Sequence, residues 1–214
     1  MLIFAHRGAS GLEPENTIRA FSSALKAEVD GIEIDIHQVG DKFLVIHDRW
    51  LQTTTSGVGQ LCQYNYDQLR LLDAGCGEMI PELNEVFSLI AGNCIINLEL
   101  KNIVSAEILF RYLNDAIDNN NFSPKQILIS SFNHPLLSMI HQQRNEFPIG
   151  ALTSSIPLEY AKFAQHLCAH SVHINIDFIN QRFVVDAHQR KIKVFVYTVN
   201  ELEDLCQMVR LGVD

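Results

Sequence analysis

Two kinds of segment alternate along the chain. Short runs rich in Ile, Val, Leu and Phe are typical of buried strands, and longer stretches with apolar residues every three or four positions are typical of amphipathic helices. The predicted strands are 2–6, 31–37, 43–47, 94–100, 126–131, 148–152, 171–175 and 193–198. The predicted helices are 15–27, 82–91, 105–119, 135–144, 157–167, 181–189 and 201–211. This alternation predicts an α/β fold with a mostly parallel sheet.

The spacing of the strands predicts the architecture. In the second half of the chain, strands begin about twenty-two residues apart, which fits one strand, one helix and two tight loops. Gly40-Asp41 can turn the chain back, so strand 43–47 is interpreted as a hairpin partner. Seven strands remain, which predicts a TIM (β/α)8 barrel whose eighth strand is missing from the sequence as given.

The C-terminus and the length agree with this interpretation. Gly212 suits a helix C-cap, and Val213 stands where an eighth strand would begin. The 214 residues are fewer than the roughly 250 of a typical barrel of this kind. We therefore expect further residues beyond Asp214 that begin with an apolar strand. We predict one TIM-barrel domain over 1–214, with a turn-rich cap insertion at about 48–80.

Composition and charge narrow the classes of function. The net charge of −9, with scattered basic residues, excludes nucleic acid as a favoured partner. Five widely spaced cysteines predict reduced thiols, each a small buried hydrophobe. The sequence has neither a signal peptide nor a run apolar enough to span a membrane, so we predict a cytoplasmic protein without a stable membrane anchor.

Three carboxylates are expected to meet at one edge of the sheet. Glu33 and Asp35 are two positions apart in a strand, so they face one side while isoleucines occupy the alternate positions. Glu99 and Lys101 repeat this pattern in another strand. Three oxygen ligands favour Mg²⁺ or Ca²⁺, with Mn²⁺ also compatible, over zinc.

Histidines and cations accompany these carboxylates. His6 and Arg7 follow the first strand, and His47 ends the hairpin strand. A general acid, a general base, fixed positive charge from Arg7 and Lys101 and a divalent cation are together what hydrolysis of a phosphodiester requires.

Each of these residues also has a purely structural interpretation when taken alone. A Glu-x-Asp strand can be a solvated sheet edge, and a histidine at a strand end can be a hydrogen-bonded structural residue. His37 shares the face of Glu33 and Asp35 and is a further candidate, with a role at the hairpin end as its alternative. The His166/His170 pair lacks the glutamate of a metalloprotease motif, so we do not interpret it as a metal site.

The motifs resemble those of the glycerophosphodiester phosphodiesterases nearly from end to end. The similar segments, in the same order and spacing, are His6-Arg7-Gly8 with Pro14-Glu15-Asn16-Thr17, Glu33-Ile34-Asp35, Val45-Ile46-His47-Asp48, Thr53 to Gly59, Ile80-Pro81-Glu82-Leu83, Leu98-Glu99-Leu100-Lys101, Ser130-Ser131-Phe132 and Tyr197-Thr198-Val199-Asn200. The resemblance implies a TIM barrel with a cap that helps to bind the glycerol end. Tyr197 departs from the tryptophan that is frequent in this family.

The resemblance also implies an activity and a set of roles. It implies metal-dependent hydrolysis of glycerophosphodiesters, such as glycerophosphocholine, to glycerol 3-phosphate and an alcohol, through a cyclic phosphate. Carried over by position, the metal ligands are Glu33, Asp35 and Glu99, the general acid and base are His6 and His47, and the phosphate-contacting residues are Arg7 and Lys101.

Two alternatives stay open. One is a phospholipase-D-like or phosphoinositide-cleaving barrel that acts on intact lipids, which would need an exposed apolar rim or a basic lip. The other is a non-catalytic binder of glycerophosphodiesters, against which the complete set of seven residues argues. The sequence leaves a homo-oligomer open as well.

Overall fold

The chain forms eight strands and eight α-helices, and the computed structural model describes residues 1–214. The strands are β1 (Phe4–His6), β2 (Gly31–Val39), β3 (Lys42–Val45), β4 (Ile95–Asn102), β5 (Ile127–Ser131), β6 (Ile149–Thr153), β7 (Ser171–Asn175) and β8 (Lys193–Tyr197). The helices are α1 (Ile18–Lys26), α2 (Tyr66–Arg70), α3 (Leu83–Ile90), α4 (Ala106–Asn119), α5 (His134–Gln143), α6 (Lys162–His166), α7 (Gln181–Gln189) and α8 (Leu202–Leu211). Residues 3–127 form one unit, the N-terminal unit, and residues 1–2 with 128–214 form the C-terminal unit.

In the N-terminal unit, β1, β2 and β4 are parallel neighbours in that order. The register sets Glu33 beside His6 on one side and beside Asn97 on the other, and it sets Asp35 beside Glu99. Parallel neighbours point their paired residues to the same face, so the acidic positions of β2 and β4 share one face.

Strand β2 is buried on both faces. Ile32, Ile34 and Ile36 are fully buried, while Glu33 and Asp35 are only 7% and 1% exposed. A strand covered on both faces is what a parallel sheet flanked by helices produces. The interpretation of Glu33-Ile34-Asp35 as a solvated sheet edge is therefore excluded.

Strand β3 is the hairpin partner that the sequence predicts. It pairs antiparallel with β2 through a turn in which Gly40 has a φ of +62°. A residue without a Cβ adopts this left-handed conformation at little cost, which explains the glycine at the turn.

In the C-terminal unit, β5 to β8 are parallel neighbours in sequence order. With β1, β2 and β4 they make seven parallel strands, which confirms the predicted number. Gly212 ends α8 as its C-cap with a φ of +75°, as predicted. Val213 and Asp214 are not in a strand, but the Asp214 amide donates to the Val194 carbonyl at 3.0 Å.

Three of the predicted helices, 15–27, 135–144 and 157–167, begin at or next to a proline that suits a first turn, and one of these starts is confirmed. Asn133 caps α5 with Pro135 in its first turn. The predicted start at Pro14 is wrong, because α1 begins at Ile18, where the Thr17 hydroxyl accepts a hydrogen bond from the Ala20 amide. The start at Pro157 is also wrong, because Tyr160 has a φ of +45°, which a helix cannot contain.

The insertion at 48–80 has apolar packing of its own. It contains α2 and two short 3₁₀ helices, none of which the sequence analysis predicted. Leu51, Leu61 and Leu69 pack in a cluster with Leu44 and Ile46, the apolar residues at the end of the hairpin. The cap therefore rests on the segment that leads into His47. Its limits, and the single domain over 1–214, stay predictions.

Two remaining expectations concern burial and membranes. The cysteines are free thiols, but only Cys94 is buried, so the prediction that all five are buried hydrophobes is wrong. None of the helices combines the length and the apolarity that crossing a membrane requires. The cytoplasmic location stays a prediction.

Candidate active site

The three predicted metal ligands come together in the N-terminal unit. One carboxylate oxygen each from Glu33, Asp35 and Glu99 lies within 4.8 Å of the others, and all three residues are buried. The parallel register of β2 and β4 produces this cluster, because it places Asp35 directly beside Glu99. It is the only group of three or more acidic, histidine or cysteine side chains in the chain with the spacing of metal ligands.

The donor set fits a hard divalent cation. Every ligand atom is a carboxylate oxygen, which is the chemistry that Mg²⁺, Ca²⁺ and Mn²⁺ prefer. The buried Oε1 of Glu33 accepts no hydrogen bond, and the buried Oδ1 of Asp35 has only Lys101 Nζ as a partner, at 3.2 Å. Leaving buried carboxylate oxygens short of partners is costly, and a bound cation would contact both atoms.

The carboxylates influence one another electrostatically. Burial, followed by repulsion from Asp35 and Glu99, raises the pKa of Glu33 well above its usual value. Burial and the Asp35 charge also raise the pKa of Glu99, against the opposing effect of Lys101. Burial alone would raise the pKa of Asp35, but Lys101, His47, Asn16 and Arg7 together outweigh it and lower that pKa. Asp35 is therefore the carboxylate that the protein itself stabilises in its charged form.

The two predicted cations border the carboxylates. Lys101 Nζ lies 3.2 Å from Asp35 Oδ1 and also pairs with Glu99. Arg7 Nε lies 3.4 Å from Asp35 Oδ2, and its Nη1 donates to the Glu15 carboxylate at 2.9 Å. Both side chains are about one-fifth exposed, so each can also reach a ligand from solvent.

His6 lies at the end of β1 beside the carboxylates. Its Nε2 is 3.9 Å from Glu33 Oε2. Burial, with a further contribution from the neighbouring Arg7, lowers the pKa of His6 to about 4. At neutral pH the imidazole is therefore uncharged and can accept a proton.

His47 is held from two directions. Its Nδ1 donates to Asp48 Oδ1 at 2.9 Å, which orients the ring, and its backbone carbonyl accepts a hydrogen bond from His37 Nε2 at 3.1 Å. A carboxylate on one ring nitrogen leaves the other nitrogen available for proton transfer.

His37 does not join the carboxylate cluster. The pairing of β2 with β4 shifts register between Ile36 and His37, which redirects the side chain toward the His47 backbone. A local irregularity of this kind re-aims a side chain and has no signature in the alternation of the sequence.

The structure adds three contacts to the site that the sequence analysis did not single out. Glu15 pairs with Arg7, Asn16 bonds to Asp35, and Asp48 orients His47. All three lie inside the quoted motifs, so their position in Pro14 to Thr17 and directly after His47 is the signal that could have found them.

The histidines outside the site have structural contacts. His134 Nε2 bonds to the Leu152 carbonyl at 2.9 Å, and His173 Nε2 lies 2.9 Å from the Ser171 hydroxyl oxygen. His188 pairs with Asp214 at 2.8 Å. These contacts give all three histidines structural roles.

Comparison with known proteins identifies the family. The model of the glycerophosphoryl diester phosphodiesterase family matches residues 6–214. A glycerophosphodiester phosphodiesterase from Caldanaerobacter subterraneus subsp. tengcongensis is 36% identical over 223 residues, which cover 100% of this chain and 91% of the relative. Another from Bacillus altitudinis is 32% identical over 230 residues, covering 99% of this chain and 91% of the relative.

A solved structure agrees with the sequence matches. A phosphodiesterase from Oleispira antarctica, in complex with the product sn-glycerol-3-phosphate, aligns with a TM-score of 0.89 at 28% identity, covering 100% of this chain and 91% of that one. This similarity confirms the predicted TIM-barrel fold class. Because the family match includes every residue of the carboxylate, histidine and cation cluster, this chain belongs to the glycerophosphoryl diester phosphodiesterase family and is an enzyme of that class.

Proposed function

We propose that the N-terminal unit hydrolyses glycerophosphodiesters to glycerol 3-phosphate and an alcohol, with one divalent cation and two histidines. The observation that carries the proposal is the cluster of Glu33, Asp35 and Glu99 within 4.8 Å. The Oleispira antarctica relative was solved in complex with its product, sn-glycerol-3-phosphate, which supports the same class of substrate for this chain.

The cation would be held by Glu33, Asp35 and Glu99. When bound there, it would supply a Lewis acid that draws charge from the phosphoryl oxygens. Its positive charge would also favour the ionised forms of Glu33 and Glu99, whose pKa values burial raises. Mg²⁺, Ca²⁺ and Mn²⁺ all suit the oxygen ligands.

The histidines would transfer the protons. We assign the general base of the first step to His6, because its imidazole is uncharged at neutral pH. His47 would be the general acid that protonates the departing alcohol, with Asp48 holding its ring. In the second step the two histidines would exchange roles, as reversal of the proton flow requires.

The attacking group would be the glycerol hydroxyl next to the phosphate. His6 takes its proton as the oxygen bonds to phosphorus, and the bond to the leaving alcohol breaks as His47 donates a proton. Water then opens the cyclic phosphate, so the sum is one diester plus one water to glycerol 3-phosphate plus alcohol. An internal nucleophile gains from proximity, and Arg7 and Lys101 would compensate the charge on the phosphoryl oxygens.

A substrate without the neighbouring hydroxyl tests this route. Glycerophosphocholine and the phosphocholine ester of 1,3-propanediol differ by the hydroxyl at C2, and choline release from each is measured with saturating Mg²⁺. We expect the propanediol ester to react at least 10²-fold more slowly, because the effective concentration of an internal nucleophile is lost. Equal rates for the two esters would exclude the cyclic phosphate.

One observation favours a second candidate, the cleavage of lipids that keep an acyl chain. Large apolar side chains are exposed on the segments that follow β1, β3 and β4, which are Leu12, Trp50, Val58, Leu71 and Val104. The segments after β1 and β4 begin at the carboxyl ends of parallel strands, and the segment after the antiparallel β3 begins at His47. All three segments therefore start at the site and could contact an acyl chain. Choline release from lysophosphatidylcholine tests this candidate. It predicts that Leu71→Ser slows this reaction but not the hydrolysis of glycerophosphocholine.

A further inference from the structure

Asn16 makes two hydrogen bonds to one residue of the acidic cluster. Its Nδ2 donates to Asp35 Oδ2 at 3.0 Å, and its Oδ1 accepts from the Asp35 backbone amide at 3.3 Å. The side chain is buried, with 3% of the residue exposed. A bond to the backbone and a bond to the carboxylate together fix both the position and the rotation of the Asp35 side chain.

Asn16 is itself held in place. Its backbone amide donates to the Arg7 carbonyl at 2.9 Å, and the next residue, Thr17, caps α1. Its φ of +56° lies in the left-handed region, which asparagine tolerates better than most residues. The turn between β1 and α1 therefore holds the side-chain amide of Asn16 rigidly against Asp35.

The contacts divide the two oxygens of Asp35 between different partners. Oδ2 accepts the Asn16 hydrogen bond and faces Arg7 Nε at 3.4 Å. Oδ1 has one partner, Lys101 Nζ at 3.2 Å, and Lys101 also pairs with Glu99. Oδ1 therefore has fewer partners than Oδ2 and lies on the side of Asp35 that faces Lys101.

We propose that Asn16 is a positioning residue that presets Asp35 for the cation, with Oδ1 as the coordinating oxygen. The inference rests on the proposed function, because it concerns the same cation. A partner outside the ligand set that orients a ligating carboxylate typically changes metal affinity by 10- to 100-fold. Asn16 would do so without touching the substrate.

Isothermal titration with Mn²⁺ tests this role in Asn16→Gly. Glycine accepts the left-handed φ without strain and removes both hydrogen bonds. Asn121→Gly is the matched control, since Asn121 has a φ of +59° and is exposed in the same unit. We expect Asn16→Gly to bind Mn²⁺ 10- to 100-fold more weakly than the wild type, and Asn121→Gly to bind it with unchanged affinity.

Kinetics and thermal unfolding separate positioning from general support of the fold. If Asn16 positions the ligand, high Mn²⁺ restores kcat in Asn16→Gly with little change in KM, and the variant unfolds in chelator near the temperature of the control. If Asn16→Gly does not fold, Asn16→Ser, which keeps a short polar side chain, is titrated instead with the same expectation.

The outcomes distinguish the inference from the proposed function. Wild-type protein that binds Mn²⁺ together with Asn16 variants that bind it equally well would overturn the positioning role and leave the proposed function standing. Wild-type protein that binds no Mn²⁺ and is fully active in chelator would overturn both.

Discussion

The buried strands of the two units carry opposite kinds of polar residue. In the N-terminal unit, β2 and β4 bury Glu33, Asp35 and Glu99. In the C-terminal unit, β7 buries Ser171 and His173, which bond to each other. Burial lowers the pKa of His173 to about 3, so this pair is neutral at physiological pH. In the carboxylate cluster the buried Oε1 of Glu33 has no hydrogen-bond partner, whereas the hydroxyl and the imidazole of the serine–histidine pair bond to each other.

A buried polar side chain alone therefore does not mark a functional site. The informative feature is a set of buried charged atoms whose hydrogen-bonding capacity is unused. Glu82 makes the same point within the N-terminal unit, since its carboxylate accepts hydrogen bonds from Tyr66 at 2.8 Å and Tyr112 at 2.7 Å. It is acidic and largely buried, yet its partners are all internal.

The largest expected effect concerns the histidines of the N-terminal unit. His6→Ala and His47→Ala should each lower kcat for glycerophosphocholine by roughly 10²–10⁴-fold, because each removes a general acid or base. His166→Ala, an exposed histidine of the C-terminal unit, is the control and should retain wild-type activity. If His6→Ala or His47→Ala kept wild-type activity, another residue would have to carry out the proton transfer assigned to that histidine.

Replacing one carboxylate should separate activity from stability. Glu33→Gln should reduce activity by at least about 10²-fold because a cation ligand is lost. Without metal, the free energy of unfolding of Glu33→Gln should be roughly 1–3 kcal/mol higher than that of the wild type at pH 8. The substitution removes a buried charge that lacks a full set of hydrogen-bond partners. Chemical denaturation in chelator measures the second effect. Lower stability than wild type would mean that Glu33 is satisfied without a cation.

Features of the fold and the site that depend on neighbouring residues in the sequence could be predicted, whereas contacts between distant segments could not. The period-2 alternation in 31–36 was sufficient to place Glu33 and Asp35 on one face, because strand geometry is local. The contact of Asn16 with Asp35 depends on left-handed backbone at Arg7 and Asn16. Neither residue is a glycine, so the sequence gives no sign of this conformation. His37 was redirected by a register shift, which depends on how β2 pairs with β4.

Longer-range contacts were less accessible still. The Glu82 cluster joins Lys42, Tyr66 and Tyr112, which lie on three different elements, so no local pattern reveals it. The family motifs named residues that the structure brings together, but they did not say which of their atoms were left without hydrogen-bond partners. That distinction needed the structure.

In the C-terminal unit the expected effect is on stability at acidic pH. The pKa of His173 in the folded protein, about 3, lies below its usual 6.5, so the unfolded chain binds the proton more tightly. The contribution of neutral His173 to the free energy of unfolding is fully present above pH 6.5 and is lost as the pH falls toward 3. Between pH 7 and 5 this loss is about 2 kcal/mol. His173→Gln should flatten the pH dependence by that amount in urea unfolding, and an unchanged slope would contradict the neutral pair.

The smallest expected effect concerns the carboxylate that is already satisfied. Tyr112→Phe removes one hydrogen bond to Glu82 and should cost about 1 kcal/mol in unfolding free energy, without altering kcat. Val185→Ala, an exposed helix position, is the control for a small loss of side-chain area. A large fall in kcat for Tyr112→Phe would mean that the Glu82 cluster shapes the site.

We propose above that the acidic cluster of residues 3–127 needs a divalent cation for the hydrolysis of glycerophosphodiesters. The direct measurement is the release of glycerol 3-phosphate from glycerophosphocholine by metal-depleted protein during titration with Mg²⁺, Ca²⁺ or Mn²⁺. We predict no release of glycerol 3-phosphate in chelator, and activity that rises as a single cation site fills. Full activity in chelator would contradict it.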